Sequence, residues 1–131
     1  MPTYQSIAFT ARETAQLVEQ TDEVPLGADE VAGSTLYTLV SPGTELAGSY
    51  LGERFPAHPG YAAVFRVEAI GDSVENIGVG DLLFCMGNHR SRQRVRASDT
   101  ASLPAGLSPE LAPFCRLMGV TMTTLQTTLA R

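Results

Sequence analysis

Four arginines, Arg90, Arg92, Arg94 and Arg96, fall at every second position, which on a β-strand aligns their guanidinium groups along one face. That stripe has two chemical readings. It is an anion site, because guanidinium forks match phosphate and carboxylate geometry, or it is a solvated strand face whose arginines pair with carboxylates on neighbouring strands; the second is favoured. The only imidazoles are His58 and His89. An acid–base histidine needs a partner to orient it, and His89, following Gly87-Asn88, reads instead as a turn residue with a structural hydrogen bond. Cys85 and Cys115 have no C-x-x-C spacing and no adjacent histidine, so both are expected to be buried free thiols rather than metal ligands or a disulfide. No G-x-S-x-G elbow is present for serine hydrolysis.

A small β-rich domain must position these groups. With 131 residues, 44% of them apolar and 18% charged, the chain can bury one core. Its net charge of −5 argues against nucleic-acid binding, which relies on a basic surface. No run approaches the roughly 18 to 20 apolar residues of a membrane helix. Met1–Arg12 lacks the layout of a secretory signal. No membrane partner is therefore expected, and a cytoplasmic location follows by default.

Ser6–Thr10 and Ala15–Gln20 read as a hairpin turning at Arg12-Glu13, and the polar stretch 22–29, with Pro25 and Gly27, reads as a connection. Val31–Val40 is expected to be a strand packed on both sides. Ser41-Pro42-Gly43 ends it, and Thr44–Leu51 is expected to form a short helix capped by Thr44 or Ser41. The two prolines of Phe55–Gly60 exclude regular structure there, while Tyr61–Ile70, Leu82–Met86 and the arginine-rich segment read as further strands. Ser108-Pro109-Glu110 is a helix start with Ser108 at the cap. Leu111, Phe114, Cys115, Met118, Met122, Leu125 and Leu129 then recur at helical spacing, predicting a helical segment that covers one side of the barrel. The expected fold is mainly β: a partly open β-barrel over residues 1–107, with short helices, and a C-terminal helical segment over 108–131.

Several strings, taken in order, resemble one family. Ser41-Pro42-Gly43-Thr44-Glu45-Leu46 after a strand, Pro59-Gly60-Tyr61 opening the next, Gly78-Val79-Gly80-Asp81 before an apolar strand, His89 at its far turn, the segment 103–110 and Gly119-Val120-Thr121 follow the order seen in medium-chain dehydrogenases/reductases. The resemblance spans nearly the whole chain. It implies a GroES-like barrel forming the substrate side of a cleft, with a Rossmann domain of the same or a companion chain as partner. Many such proteins dimerise through that second domain, which admits a homodimer. The dinucleotide fingerprint G-x-G-x-x-G is absent, so NAD or NADP is expected to bind the full-length enzyme and not this chain alone.

Zinc-dependent members of the family carry a Cys, a His, a Glu and a later Cys that on this sequence fall on Pro42, Tyr61, Ala62 and Leu117, so no zinc is expected. Hydrogen-bond donors would then polarise the substrate. The resemblance gives catalytic roles to Thr44, at a hydroxyl position that lines the site and relays a proton, and to Tyr61, a phenol replacing the metal-binding His. It places Thr121 against the nicotinamide ring and Glu45 where an acidic residue stands behind the metal. Plain structural roles stand beside these: a helix cap for Thr44, a surface aromatic for Tyr61, helix packing for Thr121. The function implied is that of a zinc-independent, NAD(P)-dependent oxidoreductase acting on a small-molecule carbonyl or activated double bond. The alternative is a stand-alone GroES-like module that binds a partner without catalysis.

Overall fold

Strands β1 (Thr3–Ala11) and β2 (Thr14–Thr21) form the expected antiparallel hairpin, turning at Arg12-Glu13, in a computed structural model that describes residues 1–128. β3 (Glu30–Leu39), β4 (Ala62–Ile70), β5 (Leu82–Cys85), β6 (Arg92–Arg96) and β7 (Thr100–Ser102) make a second, antiparallel sheet in the order β6-β3-β4-β5-β7. Two register shifts between β3 and β4, at Ala32/Gly33 and Thr35/Tyr37, add the local twist that curls this sheet. Gly33 permits one of them, since a Cβ there would stand 1.8 Å from the carbonyl oxygen of Arg66. The hairpin meets the segments that lead into β6 and β4 through bridges between Ser6 and Arg90 and between Phe9 and Ala57, which gives the partly open barrel.

Val31, Ala63, Phe65, Val67, Leu83 and Cys85 fill the interior, with Val74, Ile77, Val95 and Ala97 packed against them. β4 is buried on both faces from Ala62 to Phe65, as a central strand must be. β3 departs from expectation: Val31–Gly33 and Leu39 are buried, whereas Leu36 and Tyr37 are exposed. The cause is pairing, because β6 lies beside β3 only from Glu30 to Ser34 and the rest of the strand has no neighbour in the sheet on that side.

The arginine stripe resolves as ion pairs. Arg92 meets Glu68 at 2.5 Å and Asp22 at 3.6 Å, Arg94 meets Glu30 at 2.6 Å, and Arg96 lies 3.7 Å from Asp29. Arg94 also donates to the carbonyls of Val24 and Pro25, anchoring the connection that precedes β3. Arg90 precedes the strand and bonds to the Gln93 side chain and the Arg94 carbonyl.

The helix expected from Ser108 begins later. The Ser108 carbonyl accepts from Leu111 and Ala112, a 3-10 turn covers Ala112–Phe114, and only then does α-helix cover Cys115–Thr127. Pro113 explains the delay, since it lacks the N–H that would bond four residues back to Pro109. This C-terminal helix does not cover the barrel either. Ala112 and Pro113 are buried where the 3-10 turn touches β3 and β4, but none of Cys115–Thr127 is, and Leu117, Met118, Val120, Met122 and Leu125 are exposed. Cys115 is exposed with them, against expectation, while Cys85 is buried as foreseen. The barrel interior is already filled by its own strands, so the apolar helical residues find no groove in it. Leu129 lies outside the described residues, among which no helix is long and apolar enough to cross a membrane.

Candidate functional site

After β3 the chain enters α1 (Pro42–Glu45), which widens into a π turn over Leu46–Tyr50. Pro42 starts it well, because the first turn has no use for its absent N–H. Neither Ser41 nor Thr44 caps the helix through its side chain, contrary to expectation. The Glu45 carboxylate instead reaches back to accept the Ser41 N–H at 3.1 Å, and the Ser41 hydroxyl donates to Thr44 Oγ1 at 3.1 Å. Thr44 is thus an exposed helical residue braced by one neighbour.

Glu45 has a second partner. His89 Nε2 lies 3.0 Å and 3.2 Å from its two carboxylate oxygens, and His89 Nδ1 lies 2.8 Å from Thr38 Oγ1. The carboxylate only accepts, so Nε2 carries the hydrogen and donates. The side chains of His89 and Glu45 are 11% and 13% exposed, so water competes weakly for these bonds. The turn bearing His89 is rigid. Its N–H donates to the Pro59 carbonyl, its carbonyl accepts from Ile7, and the fully buried Gln93 side chain donates to Asn88 O and Thr35 Oγ1. His89 therefore carries the structural hydrogen bond expected of it. Its partners escaped sequence reasoning because Thr38 and Glu45 are remote in the chain, and the only trace was an acid at a helix start and a histidine at a turn.

Two clefts flank this network. One, of about 270 Å³, lies between Ile7, Leu17, Leu36, Tyr37, His89 and Arg90. The other, of about 280 Å³, is more apolar and lies beside α1, between Phe9, Val40, Pro42, Glu45, Leu46 and Tyr50.

Tyr61 stands immediately before β4, half-buried. Gly60 puts it there. With φ +148° it adopts a backbone that side chains resist, and a Cβ on it would meet Asn88 Cα at 2.1 Å, so only glycine lets this loop lie against the His89 turn. The guanidinium carbon of Arg116 lies 4.8 Å from the centre of the Tyr61 ring. Such a contact is worth about 0.5–2 kcal/mol, depending on its burial. It ties Tyr61 to the C-terminal helix, α2 (Cys115–Thr127), which also carries Thr121. Thr121 is exposed, and its hydroxyl donates to the Leu117 carbonyl at 3.1 Å. No hydrogen bond among the described residues joins Thr44, Tyr61 and Thr121 to one another.

Other reactive groups are muted. Burial pushes the Cys85 thiol up to about 11, and desolvation by neighbouring atoms also raises Cys115, exposed though that residue is, so neither is a ready thiolate near neutral pH. His58 Nδ1 comes no closer than 3.5 Å to the buried Ser6 hydroxyl. Among the described residues no group of three or more His, Cys, Asp or Glu is placed to hold a metal ion.

The mainly β, GroES-like half-barrel followed by a helix is a fold shared with solved structures of medium-chain dehydrogenases/reductases, which match most of this chain. No protein-family profile and no curated protein sequence matches it. The matched structures include a putative NADPH:quinone reductase from Bacillus thuringiensis, 20% identical, covering 100% of this chain and 43% of its own, with a TM-score of 0.81. Escherichia coli quinone oxidoreductase, solved in complex with NADPH, is 24% identical over 95% of this chain and 40% of its own, with a TM-score of 0.70. Galactitol-1-phosphate dehydrogenase from Escherichia coli is 14% identical over 84% of this chain and 41% of its own, with a TM-score of 0.71. Identities this low establish a shared fold, and the chain spans less than half the length of each of the three.

Proposed function

We propose that the chain is the substrate-side domain of a zinc-independent, NAD(P)-dependent oxidoreductase that reduces a carbonyl or activated double bond of a small molecule, or runs the reverse oxidation. The observation that carries this is the superposition of the whole chain on an NADPH:quinone reductase fold, with Pro42, Tyr61, Ala62 and Leu117 at the positions the resemblance gives to metal ligands. A catalytic zinc needs sulfur, imidazole or carboxylate donors. Proline, alanine and leucine offer none, and a neutral phenol is a poor one, so the donor set does not fit the metal.

The nucleotide is a different matter, because the phosphate-cradling glycine fingerprint lies nowhere in these 131 residues. NAD or NADP would be gripped by a Rossmann domain of the same or a companion chain, and when bound it supplies the hydride. The residues of this chain do the rest. Tyr61 donates to the substrate oxygen as negative charge develops there, a task that rewards a fixed, partly desolvated donor. Thr44, exposed on α1 and braced by Ser41, passes the compensating proton, and Thr121 borders the nicotinamide from α2. Glu45 and His89 hold α1 against the barrel, and the apolar cleft beside α1 accepts the hydrocarbon part of a substrate. The assembled protein is a cytoplasmic enzyme, and a homodimer fits its type.

The exposed apolar residues of α2, Leu117, Met118, Val120, Met122 and Leu125, favour this reading over a self-sufficient binding module, which has no reason to leave a helix so apolar uncovered. The test is NADH and NADPH oxidation with quinones, enones and aldehydes, measured for the chain alone and joined to a nucleotide-binding domain. Turnover appears only in the joined protein. Turnover by the chain alone overturns the proposal.

A further inference from the structure

Four arginines of the described residues are half-buried: Arg90, Arg92, Arg94 and Arg116. Three engage acceptors within the chain. Arg90 donates to Gln93 and to the Arg94 carbonyl, Arg92 pairs with Glu68 and faces Asp22, and Arg94 bonds to Glu30 and two backbone carbonyls. Arg116 is different in kind. It makes no hydrogen bond or ion pair with any described residue; its Nε is buried without an acceptor, as is that of Arg92, but Arg92 still binds Glu68 through Nη1. Its one recorded partner is the Tyr61 ring, 4.8 Å away.

A guanidinium cannot shed its charge, so burial is not relieved by deprotonation. Its electrostatics are also divided by geometry. An aromatic ring answers the positive face of the plane, whereas the N–H donors point outward along the edge and need oxygen acceptors. At Arg116 the guanidinium carbon lies 4.8 Å from the Tyr61 ring centre, and no oxygen of the described residues meets its N–H groups. The complement of an unmatched guanidinium edge is a pair of oxygens on one centre, as in a carboxylate or a phosphate.

We propose that Arg116, braced on Tyr61, is a binding site for a carboxylate or phosphate group, and that the substrate carries this anion close to the bond that reacts. The second half rests on the reading of Tyr61 as a residue that faces substrate; the first half does not. The site uses a fixed charge to orient the substrate, and the Tyr61 ring keeps the fork from collapsing onto the surface.

The test is NMR of the 131-residue chain, following the Arg116 Nε–Hε signal and the Tyr61 ring signals at constant ionic strength, in separate titrations with inorganic phosphate and acetate. Saturable shifts are expected, with Kd on the order of 1–10 mM for one or both anions. The better-bound anion names the group. Arg116→Gln weakens the Tyr61 response at least about tenfold, and Arg116→Lys, which keeps the charge but loses the fork, weakens it several-fold. Arg54→Gln, which removes an exposed arginine, leaves it unchanged, and unaltered β4 amide signals in each variant show that the barrel is intact. Shifts that rise without saturating, or an Arg116→Gln chain that responds like wild type, overturn the anion site. Tighter saturation by NADPH than by either anion would assign the site to the nucleotide and overturn the substrate half. Turnover of the joined protein confined to uncharged substrates refutes the substrate half while leaving the oxidoreductase reading intact, whereas anion binding with no turnover by the joined protein leaves the anion site standing and refutes both that reading and the substrate half.

Discussion

Replacing Glu45 by alanine strips the acceptor from two donors at once, the His89 Nε2–H at 3.0 Å and the Ser41 N–H at 3.1 Å. A buried donor left without a partner costs about 1–3 kcal/mol. With His89 11% exposed, water recovers part of this, so Glu45→Ala should destabilise the domain by about 2–4 kcal/mol in total. Domains of this length shift by roughly 3–4 °C in Tm per kcal/mol, which predicts a fall of about 7–14 °C. Glu45→Gln keeps one oxygen for the imidazole and should lose about 1 kcal/mol. Thermal unfolding of Glu45→Ala, His89→Ala and the double variant closes a cycle, and the coupling should be about 1–3 kcal/mol. Because α1 carries Thr44, the Thr44 amide should also exchange faster in both single variants. A loss under about 0.5 kcal/mol for Glu45→Ala, with additive effects in the cycle, would refute the claim that this network fastens α1 to the barrel.

Acid stability should follow Glu30 and Glu68. The Arg94 hydrogen bond, then the Gly27 N–H, hold Glu30 below its ordinary value of 4.5, and the Ser34 hydroxyl, then Arg92, do the same for Glu68, against burial that acts the other way. A lowered carboxylate stabilises the fold fully above its unfolded value and ceases to do so as pH falls through its native one, so urea midpoints should drop below about pH 4.5, and less steeply in Arg94→Gln. Thiol labelling of the native chain should modify the exposed Cys115 and spare the buried Cys85, which reacts only after denaturation. Amides of α2 should exchange quickly in the chain alone, because its side chains are unburied, and should gain protection once a nucleotide-binding domain is joined.

Much of the barrel was legible because its signals are local. Arg12-Glu13 and Gly87-Asn88 mark turns, the arginines at every second position mark β6, and the apolar run that follows Tyr61 marks β4 as a strand. The ion-paired reading of the arginine stripe rested on the same two-residue period. What escaped was non-local. The burial of β3 depends on where β6 stops pairing with it, which no pattern within β3 records. The helical spacing after Ser108 showed which residues share a face, but not whether anything in this chain covers that face, and Cys115 was misplaced for the same reason. Pro113 was a local cue that outranked the helix-start signal at Ser108. At the candidate site, Thr44, Tyr61 and Thr121 were named through resemblance, whereas the contacts of Glu45 with His89 and of Arg116 with Tyr61 exist only once the barrel brings remote segments together.

Hydride transfer in the presence of a strong chelator bears most directly on the idea that neutral donors replace a metal in this cleft. The chain joined to a nucleotide-binding domain should oxidise NADH or NADPH at the same rate before and after zinc is removed, and Tyr61→Phe should lower kcat by roughly 10²–10³-fold. Activity that vanishes on chelation and returns with added zinc would contradict it.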